Sequence, residues 1–405
     1  MVLVRREGVL LEATENEFEN QAVLNPTVVQ QGGTLHMFYR AVKEGNYSSI
    51  GYCKLEGPLN VVERKNGPIL FPEHDYEIHG TEDPRIVLLD GMYYMFYTAY
   101  DGRNALLAYA TSKDLKNWEK HGIISAKMRY DEAGNFFRLS KLKEKYYFFI
   151  SYYKDVVAED VFLWEKDSFI LPKKYNNKYA LFHRILPDIQ IACFDDFKDL
   201  TTDFWKNYLK TLGDHVVLEP KFGYESRNIG SGAPLIETER GWLMIYHSVE
   251  DSNKGKIYHA SAALLDKQNP LKVIGRLKEP LFSPTEDYEK VGDVNNVVFP
   301  TGTAIFGDRL YIYYGAADKR IAVVSVNLYK LLHELLASEV EVGIGFLAGQ
   351  VFNLTIKEEK TLTQLKNLLH QNEKVLLMAI GWLARENKVL CRFDSDELFI
   401  RSVDY

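Results

Sequence analysis

The chain is poor in cysteine. Cys53, Cys193 and Cys391 are the only three in 405 residues, and their spacing fits neither a disulfide framework nor a zinc site. It also lacks any apolar run near the roughly 20 residues that a membrane-spanning helix needs. The opening MVLVRREGVLLEATENEFENQ carries no apolar stretch of the kind found in secretory leaders. A reducing, cytoplasmic setting without metal is therefore expected, away from the membrane. An excess of positive charge is missing too: 49 Lys and Arg stand against 56 Asp and Glu, a net charge of −7, which argues against a nucleic-acid partner. Helical periodicity is nearly absent before residue 328.

Aromatics, by contrast, are plentiful, with 26 Tyr and 22 Phe. They fall in short runs: LHMFYRA (35–41), YYMFYTAYDG (93–102), YYFFISYYKD (146–155), KYALFHRI (178–185), WLMIYHSVE (242–250) and LYIYYGAAD (310–318). Most follow a turn signal such as QGG, DG or ERG, and several precede a second strand of small residues, so a hairpin unit recurs. A sandwich also has short strands and regular turns. The recurrence, with aromatics ending each inner strand, favours an all-β propeller over 1–335.

The pattern changes after about residue 328. NLYKLLHELLASEVEVGIGFLAGQVFNLT, TLTQLKNLLH and NEKVLLMAIGWLARENK have helical apolar spacing, with Asn372 placed as an N-cap. VLCRFDSDELFIRS then reads as a hairpin. Three helices and a hairpin are the order of a small α+β winged helix-turn-helix domain, expected over 341–405. Its 8 Lys and Arg against 9 Asp and Glu give no basic face for DNA. A packing or self-association module fits better, and a homo-oligomer is left open.

A propeller gathers its inner strand ends, so distant side chains meet. Asn25, Arg40, Glu82, Asp83, Arg85, Asp101, Lys166, Arg184, Glu225, His247 and Asp293 stand at or beside the ends of aromatic runs or in loops bounded by Gly or Pro. Each alone reads as a solvated or structural ion pair. Together, carboxylates, cations and aromatic faces are what a sugar site is made of: hydroxyls take polar partners and ring faces take aromatics.

HGTEDPRI followed by YTAYDG resembles the signature of glycoside hydrolase family 130, the mannoside phosphorylases and related mannosidases. The likeness continues through WEKDSFILPKKYNNKYALFHR, ESRNIGSGAPLIETERGWLMIYHSVE, GDVNNVVFPTG and YYGAAD, and covers most of 20–330. The resemblance implies a five-bladed β-propeller. Six aromatic runs leave one surplus, and the stretch 126–155 reads as an elaborated third blade.

The resemblance further implies an inverting reaction with one protein acid, Asp83. It protonates the glycosidic oxygen through a mannose hydroxyl, while inorganic phosphate attacks the anomeric carbon from the opposite face. Phosphate is itself a nucleophile, so no second carboxylate is needed, unlike an inverting hydrolase. No cofactor is implied; a β-mannoside oligosaccharide and phosphate are the partners. Lys166, Arg184 and His247 fall on phosphate-binding positions, and Asn228 on a fourth that is otherwise Lys. Arg227, beside it, is expected to point to the other side of its strand. Asn25, Arg40, Glu82, Arg85, Asp101, Glu225, Asp293 and Asn296 fall on or near sugar-binding motifs, with Tyr100, Tyr224 and Tyr288 as stacking walls. Two alternatives stand beside phosphorolysis. One is hydrolysis, as in the β-1,2-mannosidases of the same family, with Glu225 as base. The other is sugar binding or sensing without catalysis.

Two expectations about the EDPR stretch come from local chemistry. Pro84 should hold Asp83 in extended backbone. Arg85 should then share a face with Asp83 and oppose proton donation, unless Glu82 or substrate neutralises it.

Overall fold

A computed structural model describes residues 2–157, 160–253 and 255–403. The chain divides into two compact units, Met1–Glu334 and Leu335–Tyr405, and the fold is mostly β.

In the first unit the strands form antiparallel sheets in chain order. Sheet I holds Ala22–Gln31, Thr34–Lys43, Tyr47–Glu56 and Asn60–Arg64; sheet II holds Gly80–Leu89, Met92–Tyr100, Ala105–Ser112 and Glu119–Ile123. A single bridge, Ser48 to Gly80, links these two. Sheet III holds Lys166–Ile170, Tyr179–Arg184, Ile189–Phe194 and Val216–Leu218. Sheet IV holds Asn228–Ser231, Trp242–Ser252, Gly255–Leu265 and Val273–Arg276, with the short strand Ile236–Glu237 beside Trp242. Sheet V combines Val298–Phe306, Arg309–Ala316 and Arg320–Asn327 with the N-terminal strand Val4–Leu11. The first strand of sheet I packs against that of II, II against III, III against IV, and V against I.

Sheets buried on both faces explain the aromatic runs. Side chains alternate across a strand. In the second strand of sheet I, Leu35, Met37, Tyr39 and Ala41 join a core with Tyr313, Ile321 and Val323 of sheet V. Phe38, on the other face, packs with Met95, Tyr97 and Ala108 of sheet II. With no face left for water, polar alternation disappears.

One buried motif recurs in every sheet. A glutamate just before the first strand accepts a hydrogen bond from the second strand. Tyr39 Oη reaches Glu19 at 2.7 Å, Tyr97 reaches Glu77 at 3.1 Å, Tyr246 reaches Glu225 at 2.7 Å and Tyr314 reaches Glu289 at 2.7 Å. In sheet III the counterpart is His183, whose Nδ1 stands 2.8 Å from Glu165 Oε1 without hydrogen-bond geometry. A cation from the fourth strand completes four of these clasps: Arg64, Lys120, Arg276 and Arg6. Sheet III instead uses Tyr208, whose hydroxyl lies 2.7 Å from His183 Nε2. All five glutamates are buried. A buried carboxylate is tolerated when it is paired and hydrogen-bonded, and in four of the sheets the clasp ties the start of the first strand to the second and fourth strands.

The sixth aromatic run corrects the strand expectation. Residues 146–155 lie in helix α2 (Glu144–Val156), preceded by α1 (Tyr130–Phe137). Tyr146 and Phe149 are buried while Phe148 is exposed, which is a helical stripe rather than an alternation. A further helix, α3 (Thr202–Lys210), is capped by Thr201, and α4 is one turn, Asp287–Lys290. Helices α1 to α3 were not visible as periodicity because each is short and aromatic residues dominate its buried face, and α4 is a single turn.

Helix α5 spans Leu328–Thr355. In the second unit α6 (Leu362–Leu369) and α7 (Glu373–Arg385) precede the hairpin Val389–Asp394 and Glu397–Ser402. Asn372 caps α7 by accepting from the Lys374 amide at 2.9 Å, as its position predicts. Val351, Leu365, Leu376, Ile380 and Ile400 form its core. No helix among the described residues is long and apolar enough to cross a membrane.

Candidate active site

Three first strands share one irregularity. In sheet I, Leu24 pairs with Arg40 and Thr27 with Phe38; in sheet II, Glu82 pairs with Thr98 and Arg85 with Phe96; in sheet III, Lys166 pairs with Arg184 and Phe169 with Phe182. Each is a bulge with one extra residue. The bulges place Asn25, Asp83 and Asp167 in left-handed backbone, with φ of 49°, 53° and 58°. Asn and Asp adopt that region more readily than other side-chain-bearing residues. Asp83 is therefore not extended, contrary to the expectation from Pro84: the bulge overrides the local preference, and it re-aims the carboxyl.

Asn25 Nδ2 donates to Asp83 Oδ1 at 2.7 Å. This bond fixes the amide orientation and leaves Asn25 Oδ1 buried without a protein partner. Arg40 pairs with Glu82 at 2.8 Å and stands 3.7 Å from Asp83. Lys166 lies 3.6 Å from the other oxygen of Glu82.

Arg85 resolves differently from the sequence reading. Its Nη1 donates to the backbone carbonyl of Asp83 at 2.7 Å, and its charge is met by the Asp167 carboxylate at 3.2 Å. Neither Glu82 nor the Asp83 carboxylate is its partner. Arg184 also pairs with Asp167, at 2.7 Å, and reaches His247 Nε2 at 3.3 Å. Burial pushes the Asp167 carboxyl up, but Arg184, His247, Arg85 and Lys166 outweigh it and hold it below the usual range. Burial drives His247 down to about 3, Asp167 opposing and Arg184 and Arg85 assisting. His247 is thus neutral near pH 7. Because Arg184 donates to Nε2, the proton sits on Nδ1, which is buried without a protein partner, ready to donate. Gly230 lets this pair approach: a Cβ there would lie 2.4 Å from His247 and 2.6 Å from Asp167.

The structure thus brings Asn25, Arg40, Glu82, Asp83, Arg85, Lys166, Arg184 and His247 into one connected network. Asn228 is buried beside it and lines a cavity with Arg184. Other sequence candidates are placed elsewhere. Glu225 is locked in the sheet IV clasp, where Arg276 donates at 2.6 Å. Asp101 accepts from the amides of Arg103 and Asn104 at 2.8 and 2.6 Å, closing its own turn. Asp293 is exposed and pairs with Lys319 at 3.2 Å. Asn296 shapes a loop with φ of 60°. Tyr224 bonds to Ser261 and the carbonyl of Leu277 within sheet IV.

Two residues were missed. Asp167 looks like an ordinary turn acid in KDS; its equivalence to the Asn of LNPT and the Asp of EDPR was the available signal. Asp318 closes YYGAAD. Burial, with Asp83, Asp293 and Glu82 adding to it and Arg40 opposing, raises it to about 6.

Known proteins can now be compared. Residues 4–336 match the family described as beta-1,4-mannooligosaccharide phosphorylase, and residues 338–402 match a winged helix-turn-helix domain (DUF2582). The chain is 35% identical over 331 residues to the 1,2-beta-oligomannan phosphorylase of Thermoanaerobacter sp. (strain X514), covering 79% of this chain and 95% of that one. It is 37% identical over 340 residues to the beta-1,2-mannobiose phosphorylase of the same organism, covering 80% and 96%. The structure of beta-1,2-mannobiose phosphorylase from Listeria innocua, in complex with beta-1,2-mannobiose, superposes with a TM-score of 0.61 at 24% identity, over 82% of this chain and 99% of that one. That likeness shows a shared fold. By the extent of these matches, the chain belongs to glycoside hydrolase family 130.

Proposed function

We propose that the chain is an inverting β-mannoside phosphorylase built on a five-bladed β-propeller, with sheets I to V as its blades over 1–335 and a winged helix-turn-helix module over 341–405. The fivefold recurrence of the glutamate clasp supports the blade count. The N-terminal strand in sheet V would close the ring. A cytoplasmic setting and the absence of any cofactor belong to the same reading.

In the proposed reaction, a phosphate oxygen bonds to the anomeric carbon of the terminal mannose as the C1–O bond to the neighbouring sugar breaks. The bond's electron pair goes to the departing oxygen, which receives a proton supplied by Asp83. The products are α-mannose 1-phosphate and the shortened sugar. Asp83 Oδ2 has no protein hydrogen-bond partner among the described residues and faces this task.

The observation that carries the reading is the distribution of charge. Arg40, Arg85, Lys166 and Arg184 converge on Glu82, Asp83 and Asp167. With Asp83 protonated as an acid must be, the cations outnumber those carboxylates, and an oxyanion is favoured. Hydrolysis would need a second carboxylate free to activate water. Glu225, the candidate for that role, is the fourth of five equivalent structural glutamates.

Two relatives of nearly full length carry β-1,2-linked mannoside names, so β-1,2-mannobiose is the first substrate to test. The protein is incubated with β-1,2- and β-1,4-mannobiose, with and without phosphate, and mannose is measured against mannose 1-phosphate. Sugar phosphate formed only with phosphate present is expected. Free mannose released equally without phosphate would establish hydrolysis instead.

A further inference from the structure

Helices α1 and α2 interrupt the succession of sheets between II and III, and α2 brings an aromatic face, Phe149, Tyr152 and Tyr153, to the cavity that Arg184 lines. A cavity of about 250 Å³ lies there. Its charged lining is Arg184, Arg227 and Lys256, with no carboxylate among the lining residues. Arg227 and Asn228 both line it, which corrects the expectation that Arg227 faces away. Arg227 precedes the first strand of sheet IV (Asn228–Ser231), so strand alternation does not govern it.

The Arg227 guanidinium lies 5.6 Å from the ring centre of Phe149 and 5.1 Å from that of Tyr152, both on α2. Stacking holds the planar cation by its face and leaves its edge donors free to bond in plane. Asp251 takes only Nη1, at 3.3 Å, and is itself 53% exposed, so solvent weakens that pair. Across the cavity, Arg184 Nε is buried without a protein partner.

We propose that Arg227, held on the Phe149–Tyr152 face of α2, binds phosphate, and that the cavity it shares with Arg184 is where inorganic phosphate is taken up. The cation-only lining suits an anion. The bond from Arg184 to His247 connects the cavity to the cluster around Asp83. Helix α2 thereby has a positioning role, since its rings orient the cation. The inference rests on the phosphorolysis reading above and adds a residue and an entry route to it.

The test is steady-state phosphorolysis of a β-mannobiose by the full chain, varying inorganic phosphate. Arg227→Ala is expected to raise KM for phosphate about tenfold, the loss of one charge-assisted contact, with kcat at saturating phosphate and KM for the mannoside within about twofold. Arg227→Lys should recover part of the loss, because a point charge replaces neither the stacking nor the fork. Tyr152→Leu, which leaves every cation in place, should raise the same KM by a smaller factor, and it serves should the Arg227 variants fail to fold. A phosphate KM unchanged in Arg227→Ala, or in Tyr152→Leu where that variant stands alone, overturns the inference while phosphorolysis stands. So does a fall in kcat alone. A wild-type protein that forms no sugar phosphate overturns phosphorolysis itself.

Discussion

Asn25 and Asp83 come from the first strands of different sheets, and both occupy left-handed backbone at a bulge. Their side chains meet at 2.7 Å. The strain in each strand is thus used to face one carboxyl against one amide, leaving Asp83 Oδ2 and Asn25 Oδ1 for a ligand. Asp83→Asn keeps the shape and removes the proton. It should lower kcat by about 10²–10⁴, the usual contribution of a general acid, with a mannoside still bound in calorimetry. Asn25→Ala removes the positioning bond and the free Oδ1 and puts alanine in left-handed backbone, so it should cost at least about tenfold in kcat/KM. An Asp83→Asn protein of unimpaired kcat would remove the acid assignment.

Glu225 separates structure from chemistry. It accepts from Tyr246, Arg276 and the amides of Lys221 and Phe222. Removing one partner of a buried charge pair costs about 3–5 kcal/mol, and Glu225→Gln, which keeps part of the bonding, should fall toward the lower end. The melting temperature is expected to drop by several degrees while kcat of the folded fraction changes by less than about threefold. A loss of kcat near 10² with unchanged melting would make Glu225 a base.

His247 gives a pH signature of definite sign. An unfolded histidine binds its proton near 6.5, whereas burial holds the folded one at about 3. Between those values the unfolded chain takes up a proton that the folded chain refuses. The stabilisation is therefore complete above about pH 6.5 and declines as pH falls toward 3, at up to about 1.4 kcal/mol per pH unit. Asp318, raised to about 6, acts in the opposite sense: its penalty is full above about pH 6, declines as pH falls below that value and is gone below the unfolded value of about 3.9. It is common to both proteins in a comparison with His247→Gln. Urea titrations at pH 7 and pH 5 should show a smaller acid loss in that variant than in wild type. Equal losses would mean that His247 is protonated in the folded protein.

Much of this was legible in the sequence. Five of the six aromatic runs are second strands, because a sheet covered on both faces fills with Tyr, Phe and their apolar neighbours. The sixth deceived because aromatic residues favour strands on average, whereas Tyr146, Phe149 and Tyr153 recur at helical intervals that YYFFISYYKD masks by being aromatic throughout. Asp83, Lys166, Arg184 and His247 could be read from their motifs. Asp167 could not be read as the hub of Arg85 and Arg184, since that follows from bulge geometry and from packing of strands distant in sequence. Glu225 was visible as a lone acid, but its role emerges only beside Glu19, Glu77, Glu165 and Glu289.

Gly230 offers the sharpest test of the phosphate end. A methyl group there would lie 2.4 Å from His247 Cε1 and 2.6 Å from Asp167 Oδ2, well inside contact distance. Neither neighbour can retreat cheaply: Asp167 is held by Arg85 and Arg184, and His247 packs 4.2 Å from the ring centre of Phe299. Gly230→Ala should therefore displace the pair that orients Arg184. Phosphate KM is expected to rise more than about tenfold, with a smaller change in mannoside KM because Asn25, Arg40 and Asp83 lie on other sheets. Gly223→Ala is the matched control, since a Cβ there meets nothing within 4 Å and its effect should stay within about 0.5 kcal/mol. If Gly230→Ala kept wild-type phosphate kinetics, His247 and Asp167 would have no part in holding the anion, and the cations would have to act without them.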